Sequence, residues 1–149
     1  MENKEILESL VNKIIQGDCL EVMGKIPDNS VDVTFADPPF NLKKRYNSYD
    51  DKREAEDYLS WCKRWLAEMV RITKPTGSVF VHNIPRWLIY FGYYLNEIAS
   101  FRHWIAWDAM GSPVGKTLLP GHYGILYYVK SNEFKFYNIR SLHKRCRNC

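Results

Sequence analysis

Val31-Asp32-Val33-Thr34-Phe35-Ala36 runs without a break into Asp37-Pro38-Pro39-Phe40, and this junction constrains the fold more than any other stretch. The β-branched and aromatic residues suit a pleated, buried strand. Two consecutive prolines then remove two backbone donors and fix φ, so the strand must stop there. In open α/β sheets, the space beyond the carboxyl end of such a strand is where ligands bind. Pro38 also restrains Asp37 to an extended conformation, so the Asp37 carboxylate and the Pro38 carbonyl stand side by side as acceptors. Two acceptors aimed at one point can hold an exocyclic NH2 group, and Phe40 offers a face to a planar base. Taken alone, the motif is also compatible with an ordinary strand-ending turn.

The rest of the chain supplies the elements such a strand needs. Residues 4–12 read as a short amphipathic helix, Lys13-Ile14-Ile15-Gln16-Gly17-Asp18 as a brief buried strand, and Leu20, Val22, Met23 and Ile26 recur at helical spacing up to Pro27. Residues 41–53 are polar, basic and aromatic without periodicity and read as a loop. From 54 to 72, Tyr58, Cys62, Trp65, Met69 and Ile72 form one helical stripe, ended by Lys74-Pro75-Thr76-Gly77. Strands are expected over 78–83 and 101–107, a helix over 86–98, and a strand pair formed by 122–130 and 134–137 around Ser131-Asn132-Glu133. Strand–helix alternation followed by strands alone argues an α/β sheet with an antiparallel edge hairpin.

Charge is unevenly distributed. Residues 1–40 carry 3 basic and 8 acidic side chains, whereas 41–149 carry 18 basic and 9 acidic. Lys43-Lys44-Arg45, Lys52-Arg53 and the tail with Arg140, Lys144, Arg145 and Arg147 lie among Tyr46, Tyr49, Phe136 and Tyr137, a mixture suited to phosphates and bases. A solvated basic surface is the plainer alternative. No apolar run approaches the length of a membrane span, and residues 1–5 lack a signal-peptide pattern, so a cytoplasmic protein without membrane contact is expected. Four cysteines, Cys19, Cys62, Cys146 and Cys149, are too few for a disulfide framework in a chain of 149 residues.

Gly17-Asp18-Cys19-Leu20-Glu21-Val22-Met23, the stretch from Asn29 through Asp37-Pro38-Pro39-Phe40-Asn41-Leu42, Lys74-Pro75-Thr76-Gly77-Ser78-Val79-Phe80, and Gly121-His122-Tyr123-Gly124-Ile125-Leu126-Tyr127-Tyr128-Val129-Lys130 together resemble the amino-methylating DNA methyltransferases. Their order resembles the permuted β group, in which the glycine-rich cofactor motif follows the target-recognition segment. The resemblance implies a Rossmann-like, S-adenosylmethionine-dependent methyltransferase sheet. It implies that Asp37, Pro38, Pro39 and Phe40 form the catalytic turn, with Phe40 stacking on a flipped base, and that Asp18, Cys19 and Asp37 border the cofactor. Asn41, Lys43, Lys44, Arg45 and Tyr46, which follow the turn, would meet double-stranded DNA. The resemblance further implies that an Asp at the head of the turn favours adenine N6 over cytosine N4. The amino lone pair is delocalised into the ring, so acceptors that draw the nitrogen toward tetrahedral geometry would activate it without a metal or covalent intermediate.

Other motifs fit less well. Gly111-Ser112-Pro113-Val114-Gly115-Lys116-Thr117 has one residue too few between its glycines for a phosphate loop. His143, Cys146 and Cys149 make half a zinc site, so no metal is assigned. His82 and His103 read as packed histidines, and Trp87, Tyr90, Phe91, Tyr93 and Tyr94 as the buried face of a helix. No Gly-x-Gly follows a strand, and two strands that the family fold places between Asp18 and Asp37 have no counterpart. The expectation is therefore an incomplete sheet. Residues 1–138 would be a partial catalytic domain and 139–149 a basic Cys/His tail opening a target-recognition segment. The chain would need a C-terminal methyltransferase portion or complementing subunit to act. Rival readings are a non-catalytic nucleic-acid-binding remnant and an amino methyltransferase of protein glutamine or RNA.

Overall fold

A computed structural model of the chain describes residues 2–43, 45–46, 49–108 and 121–138. In order, the elements are α1 (Glu2–Leu10), α2 (Cys19–Met23), β1 (Val31–Ala36), β2 (Arg45–Tyr46), β3 (Tyr49–Asp50), α3 (Ala55–Ile72), β4 (Thr73–Asn83), α4 (Pro85–Ile98), β5 (Ser100–Asp108) and β6 (His122–Val129). Four strands make one sheet in the order β1-β4-β6-β5. β1 runs parallel to β4, and the other pairs are antiparallel. This is the α/β sheet with an antiparallel edge that strand–helix alternation predicts.

Three local expectations are corrected. The edge hairpin pairs β6 with β5, while 134–138 form no strand. That segment is held differently: Lys135 N donates to Thr76 O at 3.0 Å, and the Arg102 guanidinium lies 4.3 Å over the Phe134 ring. Residues 13–18 are not a strand either, and Ile14 is fully exposed. A strand exists through its ladder partner, and this segment has none among the described residues. Finally, the loop over 41–53 contains the small antiparallel β2–β3 hairpin.

The apolar stripe of α3 is buried as its spacing demands. Tyr58, Cys62, Trp65, Leu66, Met69, Val70 and Ile72 pack with Trp87, Leu88, Phe91 and Leu95 of α4. Both helices lie on one face of the sheet, against Thr34, Val79, Val81, Leu126 and Tyr128. The Tyr128 hydroxyl reaches α4, donating to Gly92 O at 3.0 Å or Asn96 Oδ1 at 2.8 Å. Tyr90 and Tyr93, expected on the buried face of α4, instead point to solvent.

At the end of the sheet away from the turn, polar groups fix the connections. The Arg71 guanidinium donates to Ile26 O, Met23 O, Asp28 and Glu68. The Lys130 ammonium donates to Asn29 Oδ1, Arg71 O and Thr73 O, within burial that lowers its pKa. β4 begins at once after α3, and its register to β1 slips between Val31 and Val33. Gly77 lies in this slip, where a Cβ would come within 2.7 Å of Asp32 O, so a side chain is excluded.

The opposite face carries no helix among the described residues. Val33, Phe35, Ile105 and Trp107 are 55%, 58%, 42% and 57% exposed there. Only the central residues are shielded, by one another: Phe80 and Tyr127 stack with ring centroids 4.6 Å apart. β1 and β5 are the edge strands of the sheet among the described residues. No helix of the described residues is long and apolar enough to cross a membrane.

Candidate active site

β1 delivers Asp37-Pro38-Pro39-Phe40 to the carboxyl end of the parallel pair, and the turn is fastened from beneath. The Tyr58 hydroxyl donates to Pro39 O at 2.6 Å and the Trp87 indole N–H to Phe40 O at 2.7 Å. Asn83 Nδ2 in turn donates to the Tyr58 oxygen at 3.3 Å. Burial, the largest cause, raises the Tyr58 phenol well above its ordinary range, so it stays a neutral donor.

The Pro38 carbonyl is different. Unlike the two carbonyls that follow it, it receives no hydrogen bond from any described residue. Asp37 is similarly half engaged: Oδ1 lies 2.8 Å from His82 Nδ1, whereas Oδ2 has no partner among the described residues. The turn thus presents one carboxylate oxygen and one carbonyl oxygen as open acceptors, followed by two carbonyls already satisfied.

A cleft of about 640 Å³ opens beside these acceptors, lined by Gly17, Asp18, Cys19, Met23, Phe35, Ala36, Asp37, Pro38, Pro39, Arg53, Trp61, Trp65 and Met69. Its size lies in the range of small-molecule sites. Asp18, Cys19 and Asp37, far apart in sequence, therefore meet. Asp18 caps α2, its Oδ1 accepting from Leu20 N at 2.7 Å, which leaves Oδ2 open. Burial, the largest cause, and then the Asp18 carboxylate push the Cys19 thiol up, which favours its neutral form. Arg53 stands at the wall with its guanidinium 4.7 Å over the Trp61 ring.

Phe40 is not part of this cleft. Its ring contacts the His82 and Tyr123 rings at 5.5 and 5.6 Å, so the turn separates an apolar cleft from an aromatic group on the helix-free side.

Beyond Phe40 the chain is cinched by Asp51, a carboxylate only 2% exposed. Asn41 N and Leu42 N donate to its two oxygens, each at 2.9 Å, and Lys43 N to its carbonyl at 2.8 Å. Asn41 and Lys43 adopt positive φ of 52° and 60°, which turns the N–H groups of Asn41 and Leu42 inward onto the carboxylate. The Asn41 amide is engaged with the backbone of Arg53 on both sides. Lys43 is exposed. Lys44, the phosphate-loop-like stretch and the tail with His143, Cys146 and Cys149 lie outside the described residues, as do the side chains of Arg45 and Tyr46. Among the described residues, no three His, Cys, Asp or Glu side chains gather as a metal site.

Sequence reasoning missed His82, Asp51, Tyr58 and Trp87 as parts of the site. Each looks ordinary in sequence: a lone histidine between apolar residues, an acid in a polar loop, and two aromatics of helical stripes. Their roles arise only from partners 8 to 47 residues away. His103, expected to be packed, is exposed and stacks on Tyr127.

Similarity to known proteins agrees with this geometry. The DNA methylase family model for N6 and N4 methyltransferases matches residues 31–147. Type II methyltransferase M.BamHI of Bacillus amyloliquefaciens is 42% identical over 142 residues, covering 93% of this chain and 34% of that protein. M.BglII of Bacillus subtilis is 32% identical over 138 residues, covering 85% and 38%. The chain thus spans little more than a third of these relatives. Among solved structures, the M1.HpyAVI–SAM complex superposes with a TM-score of 0.63 at 17% identity, over 90% of this chain and 60% of that one. PvuII DNA methyltransferase (cytosine-N4-specific) gives 0.58 at 20% identity, over 79% and 48%. An Asp-Pro-Pro-Phe turn with open acceptors, set at the end of a strand within the matched region, therefore has a family around it: this chain belongs to the N6/N4 DNA methylases.

Proposed function

We propose that this chain is the catalytic-turn portion of a type II, restriction–modification DNA methyltransferase that moves a methyl group from S-adenosylmethionine to the N6 amino group of a flipped-out adenine. The observation that carries the reading is the pair of open acceptors, Asp37 Oδ2 and Pro38 O, set just before two carbonyls that Tyr58 and Trp87 already satisfy. Asp37 accepts one amino N–H and Pro38 the other. Held this way, the nitrogen is drawn toward tetrahedral geometry and its lone pair leaves conjugation with the ring. Phe40 meets the face of the base on the aromatic side of the turn, and unstacking that base costs a few kcal/mol, which such contacts offset.

The cleft suits the cofactor in size and chemistry: apolar walls from Met23, Trp65 and Met69 for a planar adenine, and the free Asp18 oxygen for its amino group. When bound there, S-adenosylmethionine supplies an electrophilic sulfonium methyl group. Cys19 borders this space as a neutral wall. Lys43, Lys44, Arg45 and Tyr46 serve as contacts to double-stranded DNA, and Asn41 supports them by closing the loop at its base. Residues 1–138 form the partial catalytic domain, and 139–149 open the recognition segment. The remaining portion, in cis or as a complementing subunit, completes the open edge at β1, and the protein works in the cytoplasm. Cytosine N4 is the second reading, favoured by the likeness to the cytosine-N4-specific PvuII enzyme.

In the full-length polypeptide that carries these residues, Asp37→Ala should lower methyl incorporation a hundredfold or more, on the order of removing a preorganised electrostatic group, with DNA affinity little changed. Labelled-methyl transfer at near wild-type rate would sink the assignment of Asp37 as the amino-group acceptor. The 149 residues alone should yield no methylated adenine by mass spectrometry of incubated DNA.

A further inference from the structure

Asp37 is a surface carboxylate, its side chain 61% exposed, yet one of its oxygens is tied down. The tie comes from β4. The register pairs Ala36 with Val81, so the next residues, Asp37 and His82, arrive level across the parallel pair. The His82 side chain is only 16% exposed, enclosed by the rings of Phe40 at 5.5 Å, Tyr123 at 5.4 Å and Trp107 at 5.9 Å. Its Nδ1 lies 2.8 Å from Asp37 Oδ1, and its Nε2 is buried with no partner among the described residues.

This arrangement selects a tautomer. A carboxylate oxygen only accepts, so Nδ1 carries the proton and donates. The other neutral tautomer would set two lone pairs against each other at Nδ1 and bury an N–H at Nε2 without an acceptor. An imidazole with its proton on Nδ1 therefore holds Oδ1, clamped in orientation by three rings. The carboxylate of an exposed Asp otherwise swings broadly about its last torsion.

We propose that His82 is a positioning residue for amino-group activation: by donating Nδ1–H to Asp37 Oδ1 it locks the rotation of the carboxylate and aims Oδ2, beside the Pro38 carbonyl, at the substrate amino group. The two prolines fix the backbone of the turn, and His82 fixes the one torsion they leave free. The inference rests on the reading of Asp37 given above. A lone histidine amid Val79-Phe80-Val81 carries no trace of this in sequence.

The test is steady-state methylation by the full-length polypeptide with His82→Ala, His82→Asn and His82→Gln. An Asn amide nitrogen occupies nearly the place of Nδ1, whereas a Gln amide extends toward the buried Nε2 position. His82→Ala and His82→Gln should lower kcat on the order of ten- to a hundredfold, as a misplaced acceptor does, with KM for DNA unchanged. His82→Asn should recover most of the loss, and His82→Ala placed on Asp37→Ala should add nothing further. In the wild-type protein, imidazole ¹⁵N shifts should report the proton on Nδ1. If His82→Ala unfolds, the Asn–Gln contrast decides, since both are polar amides in the same packing. Equal losses in Asn and Gln, a change in KM with kcat intact, or a proton on Nε2 would overturn the role of His82. Full activity of Asp37→Ala would instead overturn the reading beneath it.

Discussion

The two faces of the four-stranded sheet differ although the same strands build both. On one face Thr34, Val79, Val81, Leu126 and Tyr128 are sealed beneath α3 and α4. On the other Val33, Phe35, Ile105 and Trp107 stand largely open, although they are as apolar as their counterparts. Alternation along a half-solvated strand would place polar residues on the second face. Apolar residues on both faces are instead the pattern of a sheet meant to be covered twice, and an exposed patch of this kind marks an interaction surface. The turn belongs to the sealed side through Tyr58 and Trp87, and to the open side through Phe40 and His82.

The contrast can be broken by truncation. Leu126→Ala, 1% exposed on the sealed face, should cost about 2–5 kcal/mol in urea unfolding, whereas Ile105→Ala on the open face should cost about 0.5 kcal/mol or less. Comparable losses would mean that the second face is not open in solution. Tyr58→Phe removes the hydroxyl that spans Pro39 O and Asn83 Nδ2 and should cost about 1–3 kcal/mol. Alkali should sharpen the difference further. Burial on the sealed side raises the Cys62 thiol to about 12 from 9.0, raises Tyr128 to about 12 from 10.0, and raises Tyr58 as well. Groups raised on folding stabilise fully below their ordinary values and lose that contribution as pH climbs toward the folded ones. Unfolding free energy should therefore decline from about pH 9 upward, by on the order of 1 kcal/mol by pH 10, and a flat profile there would contradict the burial. The smallest stability effect is expected from Phe35→Ser, under about 0.5 kcal/mol. Self-association by light scattering should nevertheless fall if the open face is the sticky one.

Much of this organisation is legible in the chain. The β-branched run before Asp37 is β1, and the stripe of Tyr58, Cys62, Trp65, Met69 and Ile72 is the buried side of α3, because local spacing carries that information. Residues 13–18 and 134–137 show the limit: an apolar run signals a strand only if a neighbour exists to pair with it, and spacing is silent about neighbours. The turn was visible because proline acts locally. Its supports were not, since the Tyr58 hydroxyl, the Trp87 indole and the His82 imidazole act on backbone and carboxylate groups 19, 47 and 45 residues away in sequence.

The Asp51 clasp has a consequence for how such a chain can change over generations. With the N–H groups of Asn41 and Leu42 on its carboxylate and Lys43 N on its carbonyl, the stretch from 43 to 51 is pinched shut at its neck. Loop closure costs rise only slowly with length, and the bonds to Asp51 lie at the base, before the β2–β3 pairing. Residues beyond the neck can be lengthened, shortened or recharged while the geometry of Asp37 stays as it was. The clasp makes that loop an exchangeable cassette, in which a lineage can revise what it touches without renegotiating the chemistry next door.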